Sequence, residues 1–251
     1  VEKRLILRGL LAGAVGAVLA FVFARVFAEP VIGRAIAFED ARIEAEHAHG
    51  VHEHGAELFS RGVQGNAGLG FGVLLVGLAL GALFAVVFCV AYGRAKSTDP
   101  QSFSIRLAVG AFVAVELVPF VKYPPNPPAV GQADSIGTRT LWYLVMLVAS
   151  VVLAIAAVWL RGRLAARFSS WTAGLVAAVA YVITVALVIL VLPTVDETPA
   201  GFPADVLYEF RLVSLGTQLV LWVAMGLVFS RVAGRLLGEP SETTRAESIV
   251  A

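Results

Sequence analysis

Charge is scarce in this 251-residue chain: Asp, Glu, Lys and Arg make up 15% of it, against 59% hydrophobic residues. A soluble domain is about a quarter charged, so the shortage excludes an ordinary water-soluble fold. The near-balance of 19 basic and 18 acidic residues, a net charge of +1, excludes a strongly basic nucleic-acid binder and a solvated disordered tail. Cysteine is scarcer still. The single Cys89, inside an apolar run, permits neither a disulfide framework nor a cysteine metal knuckle, and reads as a small buried apolar residue. A glycine-rich phosphate loop ending in lysine is absent as well, so the chain carries no recognisable ATP motor.

What the chain has instead is long apolar runs. Six are near the ~20 residues a helix needs to cross the hydrocarbon core: 9–28, 69–92, 105–121, 141–160, 173–193 and 212–230. Several are rich in valine, which in water would leave strand and helix open. In lipid every backbone polar group must be satisfied internally, so runs this long predict helices. The expectation is an all-α integral membrane protein with six transmembrane helices.

Basic residues set the orientation. Lys3, Arg4, Arg8, Arg94, Lys96, Arg106, Arg161, Arg163, Arg167, Arg231, Arg235 and Arg245 fall on one side, with only Glu2, Asp99, Glu239, Glu242 and Glu247 as acidic company. The opposite side is acidic. The positive-inside rule therefore puts both termini in the cytoplasm and the connections 29–68, 122–140 and 194–211 outside. Lys3 and Arg4 before an apolar stretch ending in Val26-Phe27-Ala28 also resemble a cleavable signal. The length of the stretch and the repeat described next favour a retained helix.

The chain resembles itself three times. Ser60-Arg61-Gly62-Val63-Gln64, Ser135-Ile136-Gly137-Thr138-Arg139 and Ser214-Leu215-Gly216-Thr217-Gln218 each precede an even-numbered run. Ala14-Val15-Gly16-Ala17 stands before Pro30 as Ala108-Val109-Gly110-Ala111 stands before Pro124. This predicts three related helical hairpins, around a pseudo-threefold axis or in a row. The Ser-x-Gly segments read as helix N-caps with a close-packing glycine, or as a convergence of Gln64, Arg139 and Gln218 at the mouth of a central path. Gly9, Gly13, Gly77 and Gly81 have helix-packing spacing. The domain reading is a single six-helix unit, 1–237, with a histidine-rich outer loop at 39–60 and a polar cytoplasmic tail at 238–251.

All four histidines lie within eight residues. His47, His49, His52 and His54 alternate with Glu44, Glu46, Glu53 and Glu57, and Gly50 and Gly55 allow the backbone to fold round an ion. Neutral imidazole with carboxylates suits divalent transition metals, but the affinity order favours copper, nickel and zinc over cobalt, so composition alone does not select the metal. A solvated acidic loop or a histidine pH sensor are the competing readings. Glu116, deep in the third run and followed by Pro119, is expensive at membrane depth and reads as a cation site or relay, or as half of an ion pair. The run from Lys122-Tyr123-Pro124-Pro125-Asn126 to Pro127-Pro128-Ala129-Val130-Gly131 is stiff, a rigid lid or partner surface, and the connection from Asp196 to Arg211 is acidic.

Together, Glu29-Pro30 with Arg34-Ala35-Ile36-Ala37-Phe38-Glu39, the histidine loop, the proline-rich run and Gly201-Phe202-Pro203 through Ser214-Leu215-Gly216-Thr217-Gln218 resemble the CbtA family of probable cobalt transporter subunits. The resemblance covers the first run to the sixth. It implies cobalt uptake for cobalamin synthesis in a prokaryotic cytoplasmic membrane, and a small single-span CbtB-like partner. It also implies five spans, where the runs give six. On this reading the chain is not an enzyme. It is a multi-pass subunit in the lipid bilayer, a homo-oligomer being open, with cobalt, nickel or zinc as cargo and no nucleic acid as partner. The competing class is a metal-binding sensor or scaffold that transports nothing.

Overall fold

The computed structural model describes residues 2–48, 61–95 and 99–238. Six helices among them are long and apolar enough to cross a membrane: Glu2–Ala45, Gly65–Tyr92, Pro100–Lys122, Ile136–Leu164, Ser170–Val191 and Ala204–Leu237. All six predicted runs lie inside these helices, apart from two residues at the end of the fifth. The helices overshoot most of the runs because an apolar run marks the hydrocarbon, not the end of the hydrogen-bonded ladder.

Three are interrupted by π turns. The first consists of α1 (Glu2–Phe23), a π turn at Ala24–Ala28 and α2 (Glu29–Ala48). The second has a short α3 (Arg61–Val63), a π turn at Gln64–Gly68 and α4 (Leu69–Tyr92). The third has α5 (Pro100–Phe112), a π turn at Val113–Leu117 and α6 (Val118–Lys122). The remaining spans are α7 (Ile136–Leu164), α8 (Ser170–Val191) and α9 (Ala204–Gly238).

Two of the π turns have one cause. Pro30 and Pro119 each follow a π turn whose last residue lies two positions earlier. A proline ring has no N–H and collides with the carbonyl four residues back, and a turn widened by one residue relieves the collision. By this measure Pro119, rather than Pro124, occupies the place that Pro30 has in the first span.

The chain divides into two compact units. The first gathers Val1–Phe23, Ser60–Val109 and Leu219–Ala251. Its centre is the crossing of α1 on α4, where Gly9 and Gly13 meet Gly77 and Gly81 backbone to backbone. A Cβ built on Gly13 would run into the Gly77 carbonyl, and one on Gly77 would lie 2.6 Å from the Ala17 Cβ. Lipid tails are as apolar as leucine, so helices in a membrane gain by close van der Waals approach, which only small residues permit. Beyond the crossing, Phe84, Phe88, Phe103 and Phe229 pack edge to face with centroids 5.1–5.6 Å apart. Polar ties to backbone complete the unit. Arg8 donates to the Val232 carbonyl at 3.1 Å and Ser230 to that of Gln101 at 3.1 Å.

The second unit holds Ala24–Phe59 and Gly110–Gln218. Val118, Met146 and Val185 form a buried cluster between the third, fourth and fifth spans, and the Ser150 and Tyr181 hydroxyls are hydrogen-bonded at 2.9 Å. A second cluster, Val31, Ala35, Val130, Phe202 and Val206, joins α2, the proline-rich segment and the start of α9. The proline-rich run is thus packed into the unit. Ala129 and Gly131 take positive φ, 68° and 135°, to turn it, and the Arg211 guanidinium donates to Asn126 Oδ1 at 3.2 Å. The α7–α8 hairpin is closed by Ser169, whose hydroxyl accepts from the Thr172 N–H at 3.1 Å as an N-cap.

Candidate metal-handling site

The histidine segment begins on a helix. Sequence reading ended the first span at Ala28, but α2 continues for 20 residues, a rise of about 30 Å, to Ala48. Ala, Arg and Glu in Asp40-Ala41-Arg42-Ile43-Glu44-Ala45 sustain it, for these have high helix propensity. Its base is pinned inside the second unit. Arg34 pairs with Glu209 and, at 3.6 Å, with Asp205, and Phe38 meets Phe202 edge-on at 5.1 Å. Residues 40–45 are exposed at every position, so Glu44 stands in the open. Glu46 and His47 belong to the last turn by backbone, with side chains outside the described part. His49, His52, His54, Glu53 and Glu57 lie outside the described residues. Among the described residues no group of three or more His, Cys, Asp or Glu is gathered to hold a metal.

The acidic connection before α9 is partly neutralised within its own unit. Arg139, expected at a path entrance, is engaged with Glu197 at 2.9 Å, and the Glu197 side chain is only 9% exposed. The Gln132 N–H also donates to Glu197, at 3.2 Å. The Ser135 hydroxyl, then the Arg139 guanidinium and the Gln132 N–H, hold this carboxyl below the ordinary range against an opposing desolvation. Gly131 makes room: a Cβ there would lie 2.5 Å from an Arg139 terminal nitrogen. Ser135 does not cap α7 with its side chain; its hydroxyl bonds to the Gln132 carbonyl at 2.9 Å. Ser214, in the third Ser-x-Gly segment, sits ten residues inside α9 and bonds back to the Phe210 carbonyl at 2.7 Å. Capping therefore explains neither serine.

Glu116 stands in the π turn Val113–Leu117, partly buried. The Val118 N–H reaches back five residues to the Val113 carbonyl, and Pro119 is fully buried. This turn packs against α7, from which the Tyr143 hydroxyl lies within electrostatic reach of the carboxylate. Single π turns in α-helices are frequent at functional sites, because the widened turn frees carbonyl oxygens that an α-helix would occupy. Gln64 opens the π turn Gln64–Gly68, and its side chain is outside the described part. Gln218 is in α9, with its carbonyl oxygen buried and without a hydrogen-bond partner among the described residues.

The family model described as probable cobalt transporter subunit (CbtA) matches residues 2–234, nearly the whole chain. The chain belongs to the CbtA family. No curated protein and no solved structure matches it. Membership and six spans agree with the sequence reading, and the count of six replaces the five that the resemblance implied. Sequence reading missed Glu197 as the partner of Arg139 and Tyr143 as the neighbour of Glu116. Neither pair has a signal in spacing, since 58 residues separate the first pair and tertiary packing alone creates both.

Proposed function

We propose that this CbtA chain is the membrane subunit of a divalent-metal uptake system with cobalt as its substrate. The observation that carries the reading is the concentration of every histidine at the end of a helix that leaves the membrane unit and stands exposed. His47, His49, His52 and His54, with Glu44, Glu46, Glu53 and Glu57, capture the ion outside the cytoplasmic membrane. Imidazole and carboxylate together provide enough ligands for a first-row divalent ion. The ion then passes to an intramembrane path that includes Glu116, Gln64 and Gln218. Arg139 shapes the entrance indirectly, by fixing the connection that carries Glu197. A small single-span subunit with its own histidine motif completes the system, and the three hairpins are repeats of one unit.

The test is cobalt accumulation in cells that lack their own importers, with and without the chain and the small subunit, and with nickel and zinc as competitors. The expected result is accumulation above background, reduced at limiting cobalt when the four histidines are replaced and abolished by Glu116→Gln. Metal binding without accumulation, in the presence of the small subunit, makes the chain a sensor or scaffold instead.

A further inference from the structure

Three buried side-chain atoms lack a hydrogen-bond partner among the described residues: Arg211 Nε, Gln218 Oε1 and Trp222 Nε1. All three belong to α9. Positions 211, 218 and 222 are seven and four residues apart, so at about 100° per residue they fall within an arc of about 40° on one helix face. Trp222 is 4% exposed, yet its N–H is unused. Leaving one such group unmade in a low-dielectric interior is costly, and three on a single stripe are not explained by packing. The chemistry of the stripe is donor, acceptor, donor. A metal cannot be ligated by an indole or a guanidinium N–H, but water accepts from both and donates to the Gln218 oxygen. Toward the helix C-terminus the same face changes character, to Met225 and Phe229, both fully buried and apolar.

We infer that the Arg211–Gln218–Trp222 face of α9 lines a hydrated track, about 16 Å long along the helix, which a divalent cation enters with water still in its coordination shell. Gln218 Oε1 faces the cation or its water, while Trp222 and Arg211 orient further water. The inference rests on the uptake reading, which it deepens by stating the form of the cargo: an aqua ion, not a fully stripped one. It adds Trp222 as a positioning residue and makes the Met225–Phe229 stretch the end of the wet segment.

The test separates hydration from transport. In the full chain with Cys89→Ser, which removes its only thiol, Gln218→Cys is exposed to a small membrane-impermeant cationic thiol reagent. Leu219→Cys serves as the outward-facing control, since Leu219 is 47% exposed. Labelling of Gln218→Cys well above the control, slowed several-fold by cobalt, is expected. No labelling means a dry face and overturns the track. Labelling indifferent to cobalt overturns its role in the metal path. Trp222→Phe keeps the ring and removes only the donor. It should lower cobalt uptake about 5–10-fold at limiting metal, through KM more than maximal rate, at equal membrane abundance. Wild-type accumulation with an unaffected Trp222→Phe sinks this inference alone, whereas no wild-type accumulation sinks the uptake reading itself.

Discussion

The two units are held together by opposite means. The first is packed by subtraction: glycines at 9, 13, 77 and 81 remove side chains so that α1 and α4 touch through backbone, and aromatic rings fill what remains. The second is tied by addition: Arg139 to Glu197, Arg34 to Asp205 and Glu209, Arg211 to Asn126, around the turned proline-rich segment. The difference follows from solvent. In hydrocarbon, packing and small residues are the available currency of association, whereas the connections between spans retain ion pairs and backbone hydrogen bonds.

That contrast can be broken most severely in the first unit. Gly13→Leu or Gly81→Leu places carbon where a carbonyl stands, and since the obstacle is backbone the cost should exceed the ~1–3 kcal/mol typical of overpacking. Loss of monodisperse protein in detergent is expected, and full recovery at wild-type yield would refute the crossing. Next comes Gly131→Ala, which combines a φ of 135° with a collision against Arg139. A destabilisation of about 1–3 kcal/mol is expected, read as a lower thermal midpoint, and it should shrink in an Arg139→Ala background.

Acid sharpens the contrast further. Glu197 is held below the ordinary carboxylate range by Ser135, Arg139 and Gln132. A depressed folded-state value means that the stabilisation is fully present above the unfolded carboxylate value and is lost as pH falls through the folded one. Thermal stability should therefore decline below about pH 4, and Glu197→Gln should flatten that part of the profile. The smallest effect belongs to Arg34→Gln. Its pairs are about half-exposed, so the loss should be at most ~1 kcal/mol and should vanish in high salt.

Much of this was legible in the sequence. Apolar length alone located six spans, and the spacing of Gly9, Gly13, Gly77 and Gly81 announced a helix crossing, because lipid leaves few other ways to build. The continuation of α2 to Ala48 was hidden, since charged residues after Phe38 signal the end of the hydrocarbon and say nothing of where hydrogen bonding stops. The π turns before Pro30 and Pro119 were half-visible: proline forbids a regular ladder, but widening and kinking are equally available responses. At the candidate site, the prominence of Glu116 came from the cost of a carboxylate at that depth. The role of Arg139 did not, because its partner comes from a distant connection, and an arginine near a span end looks the same whether it lines a path or clamps a loop.

The glycine crossing also makes a statement about what variation the chain can bear. At positions 13 and 81 the nearest obstacles are the Gly77 and Gly9 carbonyl oxygens, which cannot rotate aside as a flexible side chain would. A saturation library should therefore accept one residue of twenty there, while Gly72, Gly110 and Gly162, with nothing within 4 Å of a built Cβ, should accept many. Such a tolerance map would identify the α1–α4 contact by genetics alone, without purifying the protein.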